Sequence, residues 1–591
     1  MSRAPIHFIL PLSPTLYKIF FFCFTHILVV LTMGNCHTLP VPAAMNLSKK
    51  SSSLLAIDTI FKLPSPLPVW PKGEGFASGI MDLGGGLQVR QISDLVKVWA
   101  TREGGPDNLG ATFFEPSQMP DGFHMLGSYS QPNNKPFFGW VLAGKDDGSA
   151  EALKTPLDYT LVWSSESSKI KADGNGYVWL PIPPDGYKAV GHVVTTSPEK
   201  PLPDKIRCVR SDLTEQSEAF TWIWGPGKTS DANAFNVYSV RPSIRGTKAL
   251  GVSAGTFVAQ IGGTASPLSI ACLKNAESNF SCMPNLMQIE ALIQAYSPWV
   301  YFHSKEEFLP SSVNWYFGMG ALLYKKGEES NPVPIEPNGS NLPQGGSNDG
   351  AYWLDLPVDA GAKDTVRKGE LRSSQVYVHV KPMMGASFTD IAIWIFYPFN
   401  GPARAQLGVV TVSLGKIGEH VGDWEHVTLR VSNFNGELQR VYFSQHSGGT
   451  WVEAYDLEFQ SGNKAVGYAS LHGHALYAKA GVVLQGNGAI GIRNDTEKSK
   501  VVMDTGGSFE IVAAEYLGSA VAEPAWLNYC REWGPKISYD IAEEIKKVEK
   551  KLPGPLKSAF KKFVNALPNE VLGEEGPTGP NMKGNWLDDE K

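Results

Sequence analysis

Between residues 60 and 280 the chain repeats itself three times, and this limits its architecture more than any other stretch. Met119-Pro120-Asp121-Gly122-Phe123-His124-Met125-Leu126-Gly127 is echoed by Pro183-Pro184-Asp185-Gly186-Tyr187-Lys188-Ala189-Val190-Gly191. A looser echo is Ser243-Ile244-Arg245-Gly246-Thr247-Lys248-Ala249-Leu250-Gly251. The glycine pairs 122/127, 186/191 and 246/251 keep a spacing of five, and the units recur at 64 and 60 residues. Each unit leads through a polar turn to a further strand-like run, at 137–142, 205–210 and 268–273. A sheet with one apolar face must bury it, and three similar sheets can do so against one another. A three-sheet β-prism-like domain over 60–280 is therefore expected. Sixty Gly, 42 Pro and 11% aromatics suit many short strands joined by tight turns.

The remainder divides by pattern. Leu286, Ile289, Leu292, Ile293 and Tyr296 lie at helical spacing and stop at Ser297-Pro298, so a helix opens the next domain. From residue 300 to 534 strand-like runs return, at 375–380, 391–398, 424–431, 439–445, 465–471 and 509–513, and 331–350 reads as a long surface loop. A β-sandwich over 281–535 is expected. In 536–591, Ile541, Ile545 and Val548, and then Leu556, Phe560 and Phe563, predict two C-terminal helices separated by Pro553 and Pro555. Their lysines are either solvated or within reach of an anionic membrane.

Residues 1–59 offer two addresses. The apolar run at 16–33 behind Arg3 reads as a signal peptide or marginal anchor. Met33-Gly34-Asn35-Cys36-His37-Thr38 instead fits an acylation signal if translation starts at Met33, with Gly34 myristoylated and Cys36 palmitoylated. The first start puts the protein in the secretory pathway, the second on the cytosolic face of a membrane. Six cysteines in 591 residues favour a reducing compartment, although Cys272 and Cys282 could bridge a short loop in an oxidising one. A net charge of -6 gives no electrostatic case for nucleic acid as a partner.

The chemistry concentrates in His420-Val421-Gly422-Asp423-Trp424-Glu425-His426-Val427-Thr428-Leu429-Arg430. Read with period two, Asp423 and Glu425 share a face with Val427, Leu429 and Val431, the face expected to point inward. Buried carboxylates must be protonated, paired with a cation or bound to a metal. Five of the twelve histidines, His420, His426, His446, His472 and His474, lie between 420 and 474. Either a divalent-ion site or a sheet edge with ordinary ion pairs accounts for the pattern. His472 and His474 read as one face of a strand. Gly251-Val252-Ser253-Ala254-Gly255 matches a serine-hydrolase elbow, but inside a β repeat it lacks the required helix. Gly227-Lys228-Thr229 lacks the glycine spacing of a phosphate loop.

Gly73-Glu74-Gly75-Phe76-Ala77, Lys97-Val98-Trp99-Ala100-Thr101, Gly104-Gly105-Pro106-Asp107-Asn108-Leu109-Gly110, Tyr129-Ser130-Gln131-Pro132-Asn133-Asn134-Lys135-Pro136, the 420–426 stretch and Leu471-His472-Gly473-His474-Ala475-Leu476-Tyr477 resemble plant members of the vacuolar protein sorting-associated protein 62 family. The resemblance covers roughly residues 60–565. More distantly, His420, Asp423 and Glu425 resemble the metal-binding heptapeptide of the necrosis- and ethylene-inducing-peptide-like toxins, β-sandwiches that bind a divalent cation and sphingolipid headgroups. Asn400, in Phe396-Tyr397-Pro398-Phe399-Asn400, stands where those toxins carry an Asp, and Gly422 where they carry a second His. The resemblance implies a divalent-cation site on Asn400, His420, Asp423 and Glu425. His426, His446, His472 and His474 are candidate supporting partners around it, with His472 and His474 alternatively a separate pair or plain core or edge histidines. The oxygen ligands favour Ca²⁺ or Mg²⁺, and His420 tilts toward Mn²⁺ or Zn²⁺. Two function classes follow: a membrane-associated protein of vacuolar sorting that binds a lipid or glycan headgroup, or a metal-dependent hydrolase with His426 or His446 as base.

Overall fold

The computed structural model describes residues 54–225, 234–262, 267–446, 448–487, 489–536, 540–565, 567 and 577–591. Gly34, Cys36, Lys228 and the two alternative addresses of the amino terminus lie outside the described residues. The protein is mainly β, as the alternating patterns predict, with helices near its carboxyl end.

The repeat is real, but its third unit sits in a different register. The short strands His124–Met125, Tyr187–Lys188 and Gly251–Val252 pair in turn with Val141–Asp146, Cys208–Arg210 and Cys272–Lys274. Leu126, Val190 and Ala254, the residues just before Gly127, Gly191 and Gly255, meet in one apolar cluster. A Cβ on Gly127 would fall 2.7 Å from the Cα of Gly191 and 2.8 Å from Cγ2 of Thr256, so only glycine permits this approach. Thr256 Oγ1 donates to Val190 O at 2.6 Å, and Ser128 N to His192 O at 2.8 Å. The third equivalent is thus Gly255, which restores a spacing of 64 twice over, and the Gly246/Gly251 pair is displaced by four residues. Among the described residues six small sheets rather than three make up this region. Three of them supply Leu87, Leu142, Val209 and Leu273 to one core, and the other three supply Trp99, Phe113, Val178, Trp224 and Phe257 to a second. Ser253, in the elbow-like motif, donates to Val240 O and is followed by the strand Phe257–Ile261, so no nucleophile elbow forms. Cys272 and Cys282 are both free and buried.

Helix Leu286–Tyr296 forms as the spacing predicts. Asn285 accepts from Gln288 N at its start, and the Gln288 side chain accepts from Asn285 N in return. Beyond it a six-stranded sheet runs in the order Gly448–Glu453, Leu438–Gln445, His420–Ser432, Phe388–Asn400, Val376–Met383, Phe509–Ala513, antiparallel except for the last pair. One face packs on the Leu286–Tyr296 helix and on a sheet containing Trp299–Tyr301 and Lys464–Ala469. The other face is covered too, by the helix Val313–Gly318 and by Trp526, Trp533 and Trp586. Consequently all thirteen residues of Phe388–Asn400 are buried, and no polar face alternates with the apolar one. The tail forms helices Ile541–Lys551 and Gly554–Val564, which lay Val548, Phe560 and Phe563 on the four-stranded sheet of Arg404–Leu407, Val410–Ser413, Gly481–Asn487 and Ile490–Thr496.

Candidate functional site

Strand His420–Ser432 carries the site. Val427, Leu429 and Val431 enter the core between the sheets, so Asp423 and Glu425, of the same parity, turn to the same side. Glu425 is buried and Asp423 partly so, with 5% of Glu425 and 13% of the Asp423 side chain exposed. The two charges are met differently. His474 Nδ1 donates to Asp423 Oδ2 at 2.9 Å, and His474 Nε2 faces Glu306 Oε1 at 3.8 Å. The imidazole lies flat on the Tyr397 ring, centroids 3.8 Å apart and planes within 7°. Burial works against an imidazolium, but the hydrogen bond to Asp423 and the nearby Glu306 carboxylate outweigh it and lift His474 to about 10. Burial likewise works against the Asp423 carboxylate, and His474 and His420 reverse that, leaving Asp423 below its ordinary value. Glu306 is held low in the same way, and its Oε2 also accepts His472 N–H at 2.6 Å.

Glu425 goes the other way. Burial, reinforced by the neighbouring Asp423 charge, pushes its carboxyl well above the ordinary range, toward the protonated form. Ser444 Oγ contacts Glu425 Oε2 and accepts His426 N–H at 2.9 Å. Adjacent carboxyls pushed in opposite directions set an anion beside a group drawn toward the form that can both donate and accept.

These groups open onto a cavity of about 1210 Å³ at the end of the strand. Asn400, His420, Asp423, Glu425, His426 and His446 all line it, so it gathers the four proposed ligands and two of the four supporting histidines. His472 and His474 lie in a turn with positive φ, not on a strand face, and that turn rather than a pleat aims His474 at Asp423. As they stand, these side chains are engaged with other groups: Asn400 Nδ2 donates to Gly401 O at 3.1 Å and Gly418 O at 2.7 Å, and Asp423 is paired with His474. Among the described residues no three His, Cys, Asp or Glu side chains converge as metal ligands. Gly422 has its own reason: its φ is +70°, and a Cβ there would lie 2.4 Å from Trp533 O, so a second histidine has no room. Of the two candidate bases, His426 Nε2 sits 3.2 Å from Glu590 Oε2 and 2.8 Å from Asn585 Nδ2, and His446 Nε2 lies 3.2 Å from Asn494 Oδ1.

The opposite parity of the same strand meets the carboxyl-terminal segment. Arg430 donates through Nε and Nη2 to Asp390 at 2.7 Å each, and through Nη2 to Asp589 at 2.6 Å. Thr428 donates to Glu590 at 2.6 Å, and Lys381 Nζ stands 3.6 Å from it. Lys583, Asn585 and Lys591 of this segment form a wall of the cavity. Glu306, Tyr397, Ser444 and Glu590 were not singled out from the sequence. Only the parity of Tyr397 beside Asp423 offered a local signal, because the others reach the site from remote positions.

The fold and cavity define a mainly β protein whose central sheet ends in a polar pocket with paired carboxyls. The chain belongs to the vacuolar protein sorting-associated protein 62 family, whose description matches residues 57–590. It is similar to vacuolar protein sorting-associated protein 62 of Saccharomyces cerevisiae, 38% identical over 74 residues, which is 12% of this chain and 14% of the yeast protein. Among solved structures it is similar to GNIP1Aa from Chromobacterium piscinae at 20% identity, over 36% of this chain and 40% of that one, with a TM-score of 0.27. It is also similar to NLPPya in complex with glucosamine, at 16% identity over 32% and 67% of the two chains, with a TM-score of 0.19. Each of these structural likenesses is confined to about a third of the chain.

Proposed function

We propose that this protein is a membrane-associated member of the vacuolar sorting machinery that binds a hydroxyl-rich lipid or glycan headgroup in the cavity at Asp423. Membership of a family named for vacuolar protein sorting supports the process. The cavity is the observation that carries the binding role. Its about 1210 Å³ exceeds the roughly 300–1,000 Å³ of ordinary ligand pockets, leaving space for a sugar headgroup. Its wall mixes an acid held below its ordinary range (Asp423), an acid pushed above it (Glu425), amides (Asn494, Asn585) and cations (Arg493, Lys583) with the ring of Trp424. Vicinal hydroxyls each donate and accept, and this mixed set answers both needs. No helix of the described residues is long and apolar enough to cross a membrane; attachment would fall to the surface or to the amino-terminal segment, through acylation at Gly34 and Cys36 or through its apolar run at 16–33.

The test is a glycan array followed by calorimetry with the strongest hit, using the full chain and Asp423→Asn. Asp423→Asn keeps the shape and removes the anion, so affinity should fall about tenfold or more, as for loss of a charged hydrogen bond. Equal binding by the variant, or no binding to any hydroxylated headgroup, overturns the reading.

A further inference from the structure

Beside the cavity, the two tail helices and two hairpin tips carry features that its lining does not use. Helices Ile541–Lys551 and Gly554–Val564 hold seven lysines, Lys546, Lys547, Lys550, Lys551, Lys557, Lys561 and Lys562, against Glu543, Glu544 and Glu549. Among the described residues only Lys547 and Lys561 of these are ion-paired, with Glu543 and Glu544 and with Glu549 respectively. The apolar sides of both helices are spent on the sheet beneath, where Val548, Leu552, Phe560 and Phe563 are buried, so most of the lysines are left exposed. The β-hairpin that joins Arg404–Leu407 to Val410–Ser413 adds Val409, 92% exposed at its tip. Gly408 N donates to Ala489 O at 2.9 Å, so this tip abuts the neighbouring hairpin of Gly481–Asn487 and Ile490–Thr496. Gly486 and Ile490 of that second hairpin line the cavity together with Lys562 and Phe563. An exposed apolar tip and a lysine-rich helix pair therefore share the border of one pocket.

We propose that this border is a docking face for an anionic lipid bilayer, with Val409 entering the headgroup layer and Lys546, Lys550, Lys551 and Lys562 meeting acidic headgroups. The occupant follows from charge complementarity. The whole chain carries a net charge of -6, yet these two helices carry an excess of four lysines over glutamates. Clustered lysines on an amphipathic helix are drawn to an anionic leaflet, and a single exposed valine adds apolar burial that a water-soluble polyanion would not reward. Docking in this orientation brings the mouth of the cavity to the membrane surface. The inference rests on the headgroup-binding reading for its purpose but not for its chemistry.

Flotation of the full chain, made in bacteria and so unacylated, with vesicles of phosphatidylcholine alone or with 30 mol% phosphatidylserine (about a third) tests it. Anionic vesicles should be preferred, the preference should shrink at high salt, and Lys546→Gln/Lys550→Gln/Lys551→Gln should weaken partitioning about 100-fold, near fivefold per lysine. Val409→Asp, fully exposed and outside every core, should weaken it on its own while leaving solution binding of a soluble headgroup unchanged. Asp423→Asn should do the reverse, which separates failure of this proposal from failure of the pocket reading. Equal flotation on neutral and anionic vesicles, or undiminished flotation of both surface variants, overturns the docking face.

Discussion

His474 is the residue whose removal bears most directly on the site. It is fully buried, with Asp423 and Glu306 on opposite edges of its ring, so His474→Gln leaves two low-lying carboxylates without their cation. Removing one member of a buried ion pair costs about 3–5 kcal/mol, and Gln can satisfy at most one of the two acids through its amide. The pH dependence gives an independent reading. His474 titrates near 10 in the folded state against 6.5 in the unfolded chain. The folded protein therefore binds one more proton between these values. Its contribution is complete below 6.5 and is lost as pH rises through 10, with a slope near 1.4 kcal/mol per pH unit within the window. Between pH 7 and pH 9 this amounts to roughly 2–3 kcal/mol. Urea unfolding at pH 7 and pH 9, followed by tryptophan fluorescence, compares wild type with His474→Gln. The variant should be weaker at pH 7 and should lack the extra loss at pH 9. Adding Asp423→Asn to it should recover part of the deficit, because one orphaned charge is then gone. A variant within about 1 kcal/mol of wild type at pH 7, or an unaltered pH slope, would refute an imidazolium at this position.

Other expectations follow from neighbouring contacts. Glu425→Gln mimics the protonated carboxyl, so stability at pH 7 should hold or rise; since the raised carboxyl loses stability as pH climbs from 4.5 toward its folded value, the variant should also be flatter in pH there. Arg430→Met strands Asp390 and Asp589 and should cost about 3–5 kcal/mol, and limited proteolysis should then cut the carboxyl-terminal segment faster. Gly422→Ala forces a Cβ against Trp533 O at positive φ and should lower thermal stability by about 1–3 kcal/mol. Because Asp423 is neutralised by His474, melting in EDTA should match melting with added Ca²⁺, Mg²⁺, Mn²⁺ or Zn²⁺; a cation-dependent rise in melting temperature reinstates a metal at the four named residues.

What local pattern could specify, it specified. The period-two parity of 423, 425, 427, 429 and 431 fixed which side chains share a face, because a strand backbone turns alternate residues to opposite sides. The apolar spacing of Leu286, Ile289, Leu292, Ile293 and Tyr296 predicted the 286–296 helix, whose start the structure shows capped by Asn285 and Gln288 three residues apart, and the apolar spacing in the tail predicted both of its helices. The repeat was visible too, although its third register was not: Gly251 fits the sequence echo, while the contact with Gly127 and Gly191 belongs to the loop at Gly255 and Thr256. The sequence also placed two buried acids where a positive charge was needed. It could not say which charge. His474 and Tyr397 meet Asp423, and Glu306 meets the far edge of His474, across distant strands and turns, while Glu590 reaches His426 from the far end of the chain. Such pairings are selected by the packing of whole sheets, whose second buried face left no alternation to read. Local backbone periodicity determined the parity of the acids, and only the assembled core determined that an imidazolium answers one of them while burial drives the other toward its protonated form.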